Sequence, residues 1–434
     1  MRYLDVIQES LDYIEDNLKT EITAEELARR AGFSLYHYYR LFQQVVGLSV
    51  KQYIVWRRLL GVAYKISNGK KQVEAALEYG FETSAGLYKA FRKMFGYSPS
   101  EYVKRFRVVK PYRINLLQEK YIMIGHNRIK EVMENWNIEV ASITNKVYST
   151  NGEINPNVFV VNENYVLKVF QVLGQAKQNA QIQRALQKAG LQEILPIETK
   201  LGEEIVTDGQ LYYILLPFVD GEEMKAADLY EGDTYHKAFD LGKVIGKPHL
   251  ALKENDDILC NKRNIFKEVC EKWLQMAANK VGLSEQFCDD YINTFGSLHQ
   301  QLPVQIIHRD PNPSNFIFKE GQCVGVVDFD LAQCSIRLFD PCYAATGILS
   351  ESFEKQGERW FDIFQGLLHG YDRIVQLTEE EKQAVPYVVM SIQLICVGFF
   401  STQEKFERLA ETNTAMLKWL LKNREKLDYF DFSC

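Results

Sequence analysis

The chain has 434 residues, too many for one ordinary core, so two or three domains are expected. With 46% hydrophobic and 25% charged residues the composition is that of a soluble globular protein, and it excludes a disordered or fibrous chain. The net charge of −6 hides an asymmetry, because residues 1–120 carry 20 Lys/Arg against 13 Asp/Glu while residues 121–434 carry 31 against 44.

That imbalance predicts a polyanion partner for the basic N-terminal block alone. The first twenty residues have no basic leader and no apolar core of a signal peptide, and the longest apolar run, residues 391–400, is about half a bilayer span. A cytoplasmic chain with no membrane partner is expected. All eight cysteines lie beyond residue 259 without a Cys-x-x-Cys pair, which predicts reduced thiols rather than a metal site or a disulfide.

Two segments of the first 110 residues echo each other at an offset of 48 or 49 residues. The first runs Leu27-Ala28, Ala31-Gly32-Phe33-Ser34, Arg40-Leu41-Phe42 and Gly47-Leu48-Ser49. The second runs Ala76-Leu77, Tyr79-Gly80-Phe81-Glu82, Phe91-Arg92 and Gly96-Tyr97-Ser98-Pro99. Each reads as a short helix, a turn that needs positive φ at Gly32 or Gly80, and a second helix. Thr23 followed by Glu26 predicts a capping box at the start of the first helix.

Leu35, Tyr38, Leu41 and Phe42 share one helical face, which leaves Tyr36, His37, Tyr39, Arg40 and Gln43 outward. An exposed helix of this kind fits the DNA major groove, so Tyr36, Tyr39 and Arg40 are expected to read double-stranded DNA. Their counterparts are Ser84, Tyr88 and Lys89, weaker readers because Ala85 and Gly86 offer the bases nothing. Lys89, Arg92, Lys93, Lys104, Arg105 and Arg107 suit phosphate contacts. This segment resembles the DNA-binding domain of the AraC/XylS family over residues 5–107, through the stretch from Gly80 to Tyr102. The resemblance implies two helix-turn-helix units joined by one long helix over residues 50–67.

Lys110-Pro111 marks a boundary. A charged helical stretch runs to about Trp136, and two apolar strands follow around the turn Asn162-Glu163-Asn164, the second bearing Lys168. Downstream, His308-Arg309-Asp310 is followed by Asn315, then by a predicted hairpin and Asp328-Phe329-Asp330. A kinase loop needs this order: an Asp to take a hydroxyl proton, an Asn five residues on, and a second Asp to hold Mg²⁺. Only eleven residues separate Asp328 from Asp340 and no Ala-Pro-Glu follows, so a small hydroxyl-bearing metabolite or drug fits better than a protein substrate.

Residues 125–425 resemble the aminoglycoside phosphotransferase/choline kinase-like family, near its homoserine kinase-like branch. The resemblance rests on these motifs, on Leu211 to Gly221, and on Arg337-Leu338-Phe339-Asp340. It implies ATP and Mg²⁺ as cofactors, Asp310 as catalytic base, and Asn315 and Asp328 as metal ligands. Lys168 would then contact the α/β-phosphates, and the backbone of Pro217, Phe218 and Val219 would bind adenine. His308 is expected to orient the loop, and Asp340 to anchor the next helix.

Two departures matter. No acid lies between Gln171 and Gln192 to pair with Lys168, and the phosphate-covering loop near residues 150–157 has only Gly152. The expected architecture is multidomain. An all-α double helix-turn-helix unit (1–108) and a linker (109–124) precede an α+β, two-lobed protein kinase-like domain, its small lobe about 125–220 and its large lobe about 221–434. A catalytically inactive ligand sensor is the alternative to a working enzyme.

Overall fold

The computed structural model describes residues 3–428 apart from 107, 109, 112, 117–123, 148–153, 210, 254, 256, 257, 259 and 403–405. The chain divides into two compact units, Met1–Ala176 with Pro196–Phe218, and Lys177–Leu195 with Val219–Cys434.

The first unit begins with helices α1 (Tyr3–Asp16), α2 (Ala24–Arg30), α3 (Leu35–Val46), α4 (Val50–Ser67), α5 (Gln72–Glu78), α6 (Ser84–Phe95) and α7 (Pro99–Arg105). Their starts are written locally. Ser34, Ser49, Thr83 and Ser98 each accept the backbone N–H three residues on, satisfying a donor the helix cannot. Gly32 and Gly80 take φ of 72° and 77° at the two turns, as expected. Tyr38, Phe42, Leu59, Val62, Leu87 and Phe91 form the shared core, so α4 serves both halves of the repeat.

The expected capping box at Thr23 is only half made. Thr23 accepts the Glu26 N–H, but the Glu26 carboxylate accepts the Tyr13 hydroxyl at 2.6 Å. A phenol within reach on α1 is the better-placed donor.

Two residues from the stretch expected as a linker, Ile114 and Leu116, are buried in the same core. Gln8 on α1 donates to the Ile114 carbonyl and accepts the Leu116 N–H. Helix α8 (His126–Met133) follows. An antiparallel sheet then forms in the order β1-β2-β3-β5-β4 from β1 (Ile143–Val147), β2 (Ile154–Val161), β3 (Tyr165–Phe170), β4 (Val206–Asp208) and β5 (Leu211–Pro217). The β2–β3 turn has positive φ at Asn162 and Glu163, the conformation of a tight primed turn, here closed by the Asn164 N–H donating to the Val161 carbonyl. Ile154 of β2 is buried in the helical core, and β1 packs on α6.

The second unit takes α9 (Leu173–Lys188) from Lys177 onward, then β6 (Glu222–Glu223), α10 (Thr234–Leu252), α11 (Ile265–Glu268), α12 (Leu274–Val281), α13 (Glu285–Asp290) and α14 (Gly296–His299). Strands β7 (Val304–Ile307), β8 (Phe316–Lys319), β9 (Gln322–Val326) and β10 (Gln333–Ile336) come next. The predicted hairpin is β8–β9, joined by β6, while β10 pairs with β7. Helices α15 (Phe339–Gln356), α16 (Trp360–Val375), α17 (Glu379–Ser401), α18 (Glu407–Lys422) and α19 (Arg424–Asp428) complete the unit.

Helices α10 and α16 cross backbone against backbone. A Cβ on Gly370 would lie 1.9 Å from the Phe239 carbonyl oxygen, and one on Gly242 2.0 Å from that of Leu367. Gly370→Ala is therefore expected to cost about 1–3 kcal/mol or more, because a helix must shift. Gly357→Ala, whose Cβ would meet atoms at 3.5–3.7 Å, should change stability by no more than about 0.5 kcal/mol. Thermal unfolding of the full chain compares the two.

Two expectations are corrected. Cys260 and Cys334 form a disulfide, because Cys334 N–H donates to the Asn261 carbonyl and brings the two Cα atoms to 5.8 Å. Helix α17 extends the short apolar run back through residues 385–390. Among the described residues it is the one helix long and apolar enough to cross a membrane, though 67% of that stretch is buried inside the fold.

Candidate active site and nucleic-acid interface

On α3 the outward face is the one expected: Tyr36, His37, Tyr39, Arg40 and Gln43 are all exposed. The Arg40 guanidinium lies 5.8 Å from the Tyr36 ring centre. On α6, Ser84, Ala85, Gly86, Tyr88 and Lys89 are exposed, as are Arg92 and Lys93. Arg92 donates to the Tyr88 hydroxyl at 3.3 Å, which adds a donor-bearing group to a face with little else to offer a base. Lys104 and Arg105 are exposed on α7, while Arg107 lies outside the described residues.

In the sheet, Lys168 sits on β3 opposite Val158 and Ile214 and is only 6% exposed. A lysine on a solvated strand edge would not be buried in this way. Pro217 ends β5, and the Phe218 N–H donates to the Asn164 carbonyl, which fixes the chain after the strand. Val219 belongs to the second unit, where it packs beside Gly325. Thr150 and Gly152 of the expected phosphate loop lie outside the described residues.

The second unit brings Asp310, Asn315 and Asp328 onto one hydrogen-bonded scaffold. Asn315 donates its amide to the Asp310 carbonyl at 2.7 Å, and its own carbonyl accepts the Val327 N–H at 2.9 Å. His308 bridges the same two segments: Nδ1 faces the Asp310 N–H, so Nε2 donates to the Val327 carbonyl at 2.8 Å. Arg309 and Asp328 both take a left-handed φ of 69°, uncommon for such residues and held here by the surrounding bonds.

The Asp310 carboxylate accepts the Asn312 amide at 2.6 Å. Burial raises its pKa above the ordinary carboxylate range. His308 opposes this, Asp328 adds to it, a hydrogen bond from Tyr343 opposes it and Asp340 adds again. A carboxylate so placed is a stronger base than one in water. With its amide nitrogen engaged, Asn315 keeps an oxygen for a cation. Asn315 and Asp328 are thus hard oxygen donors of the kind Mg²⁺ takes.

Asp340 does more than anchor α15. Its carboxylate accepts the backbone N–H groups of His308 and Arg309 at 2.8 and 2.9 Å, and also His249 Nε2 at 2.8 Å. His249 Nδ1 in turn meets the Tyr371 hydroxyl at 2.6 Å. Asp340 and His249 are 1% and 2% exposed, so this node is sealed beneath the loop. The sequence reading assigned no task to His249, Asn312 or Tyr343. The signal for His249 was a histidine on an apolar helix face, which needs a buried partner.

Comparison with known proteins agrees with both halves. Residues 27–105 match the model of a helix-turn-helix domain, and residues 149–375 match that of the phosphotransferase enzyme family. The N-terminal segment is 34% identical over 97 residues to the multiple antibiotic resistance protein MarA of Escherichia coli (strain K12), covering 22% of this chain and 76% of that protein. It is also 34% identical over 110 residues to an uncharacterised HTH-type transcriptional regulator, YbfP, of Bacillus subtilis (strain 168). That match covers 24% of this chain and only 37% of the relative's length.

Among solved structures, an amicoumacin kinase bound to AMP-PNP and Ca²⁺ superposes with TM-score 0.53 at 14% identity, over 71% of this chain and 96% of its own. A microcompartment-associated aminopropanol kinase superposes with TM-score 0.52 at 12% identity, over 71% and 100%. These likenesses show the kinase fold. With more than half its length matched by the family model, the chain belongs to the phosphotransferase enzyme family and carries an AraC-type helix-turn-helix domain at its N-terminal end.

Proposed function

We propose that the protein is a transcription regulator whose second part binds ATP and Mg²⁺ and transfers the γ-phosphate to a hydroxyl of a small molecule. The observation that supports this best is the single scaffold carrying Asp310, Asn315 and Asp328. Asp310 accepts the proton of the substrate hydroxyl as its oxygen attacks the γ-phosphorus and ADP leaves. Asn315 and Asp328 would hold Mg²⁺, and the ion would supply positive charge to offset that of the phosphates. Lys168 contacts the α/β-phosphates, and the backbone of Pro217, Phe218 and Val219 binds adenine. DNA and ATP meet in the cytoplasm, where this activity belongs. The domain division proposed is 1–108 for DNA binding, 109–124 for the connection and 125–434 for the kinase fold.

The test is ATP turnover by the full chain against aminoglycosides, choline and amino alcohols. Phosphorylation of one class above the water background supports an enzyme. ATP binding with no turnover on any of them favours the second reading, a ligand sensor, which the absence of an acid between Gln171 and Gln192 motivates.

DNA is the expected partner of the N-terminal unit. Arg40→Ala should relax sequence preference and cost about 1–3 kcal/mol of specific binding, whereas Lys89→Ala should weaken all sequences alike and reduce the salt dependence. Gel shifts at two salt concentrations separate the two effects. Arg40→Ala binding indistinguishable from wild type would remove α3 from the interface. Ligand control of DNA binding has a physical route, since Ile154 of the sheet lies in the core of the DNA-binding helices.

A further inference from the structure

The missing acid on α9 has a structural counterpart. Within the second unit, amide side chains of α9 and the turn after it surround the segment that carries Asp328. Asn179, 2% exposed, donates through Nδ2 to Asp330 Oδ1 at 3.2 Å. Its neighbour Gln178 donates to the Ala332 carbonyl at 3.4 Å. On the other side of Asp328, Gln192 accepts the Val326 N–H at 2.7 Å and donates to Gln183 on α9 at 2.5 Å. Residues two before, two after and four after Asp328 are thus all held by carboxamides.

We infer that Asn179 is a positioning residue for the metal-binding Asp328, acting through Asp330; this rests on the role proposed for Asp328 above. The left-handed φ of Asp328 means that its carboxylate points correctly only while its flanks are pinned. Among the described residues Asn179 Oδ1 is buried without a hydrogen-bond partner, so the bond to Asp330 is what orients the amide. The charge logic also accounts for the helix's composition. An acid at 179 would set a second carboxylate about 3 Å from that of Asp330, and the two would repel in a buried site. A neutral donor avoids this, so α9 serves the acidic segment with amides.

The test reads metal dependence rather than turnover. ATP binding to the full-length chain is measured by calorimetry while Mg²⁺ is titrated. Asn179→Ala is expected to raise the Mg²⁺ concentration for half-maximal ATP binding about tenfold, the low end of the effect of removing a group bonded to a ligand itself, because Asn179 acts through Asp330, and to leave metal-free ATP binding unchanged. Asn179→Asp should shift it further. The exchanged pair, N179D with D330N, should recover toward wild type, because the bond is restored with donor and acceptor swapped.

An Asn179→Ala chain with the wild-type Mg²⁺ midpoint, or an exchanged pair no better than N179D alone, overturns the inference. So does an equal loss of metal-free binding, which would mark general damage to the fold. Wild-type chain that binds ATP without any Mg²⁺ dependence would instead overturn the proposed function itself.

Discussion

An Asp310→Asn chain is expected to lose about 10²–10⁴-fold in kcat while still binding Mg-ATP, because the amide has the shape of the proposed base but not its basicity. Two further measurements separate this from ordinary damage. The first is the pH profile of kcat/KM for Mg-ATP, which reports the free enzyme. Burial raises the Asp310 pKa, so wild-type activity should climb with pH through a limb above the ordinary carboxylate range, and this limb should vanish in the variant. The second is stability without metal. A carboxyl whose folded pKa is raised has a charge that opposes folding, and the penalty is fully present once pH exceeds that folded value. Asp310→Asn should therefore unfold at a higher temperature than wild type at neutral pH, as expected of a group kept for function. A variant that loses activity and stability together would indicate that Asp310 is structural.

What could be read from the sequence depended on how far each residue reaches for its partner. The helix-turn-helix repeat was legible in detail because its determinants are local. Gly32 and Gly80 set the turns, Ser34 and Thr83 accept an N–H three residues on, and a 3.6-residue period alone decides that Tyr38 is inside and Tyr39 outside. Asp310, Asn315 and Asp328 were legible for a related reason: they fall within one loop and one hairpin, so their spacing in sequence already constrains their spacing in space.

Partners far apart in sequence left no such trace. Asn179 meets Asp330 across 151 residues, and His249 meets Asp340 across 91. Cys260 is paired with Cys334 across 74, by a backbone contact that no cysteine spacing announces. Glu26 shows the same limit at short range. Its spacing from Thr23 promises a reciprocal cap, yet the Tyr13 hydroxyl on the neighbouring helix claims the carboxylate. Local patterns thus brought out the candidate site residues, but not the groups that hold them.

That division makes Asp340 the most informative residue to remove. Asp340→Ala would leave the His308 and Arg309 N–H groups and His249 Nε2 without the acceptor they share, in a site 1% exposed. Unmet buried donors cost about 1–3 kcal/mol each, and breaking a buried pair from one side about 3–5 kcal/mol, so a loss of about 3–5 kcal/mol is expected in urea unfolding of the full chain. Asp340→Asn should fall between wild type and alanine. It keeps an acceptor oxygen but turns an NH₂ toward groups that are themselves donors. Activity should fall more steeply than stability in the asparagine variant, because the left-handed Arg309 that leads into Asp310 is held on this carboxylate. If Asp340→Asn unfolds less readily than alanine yet keeps full turnover, the node beneath the loop stabilises the fold without positioning the base.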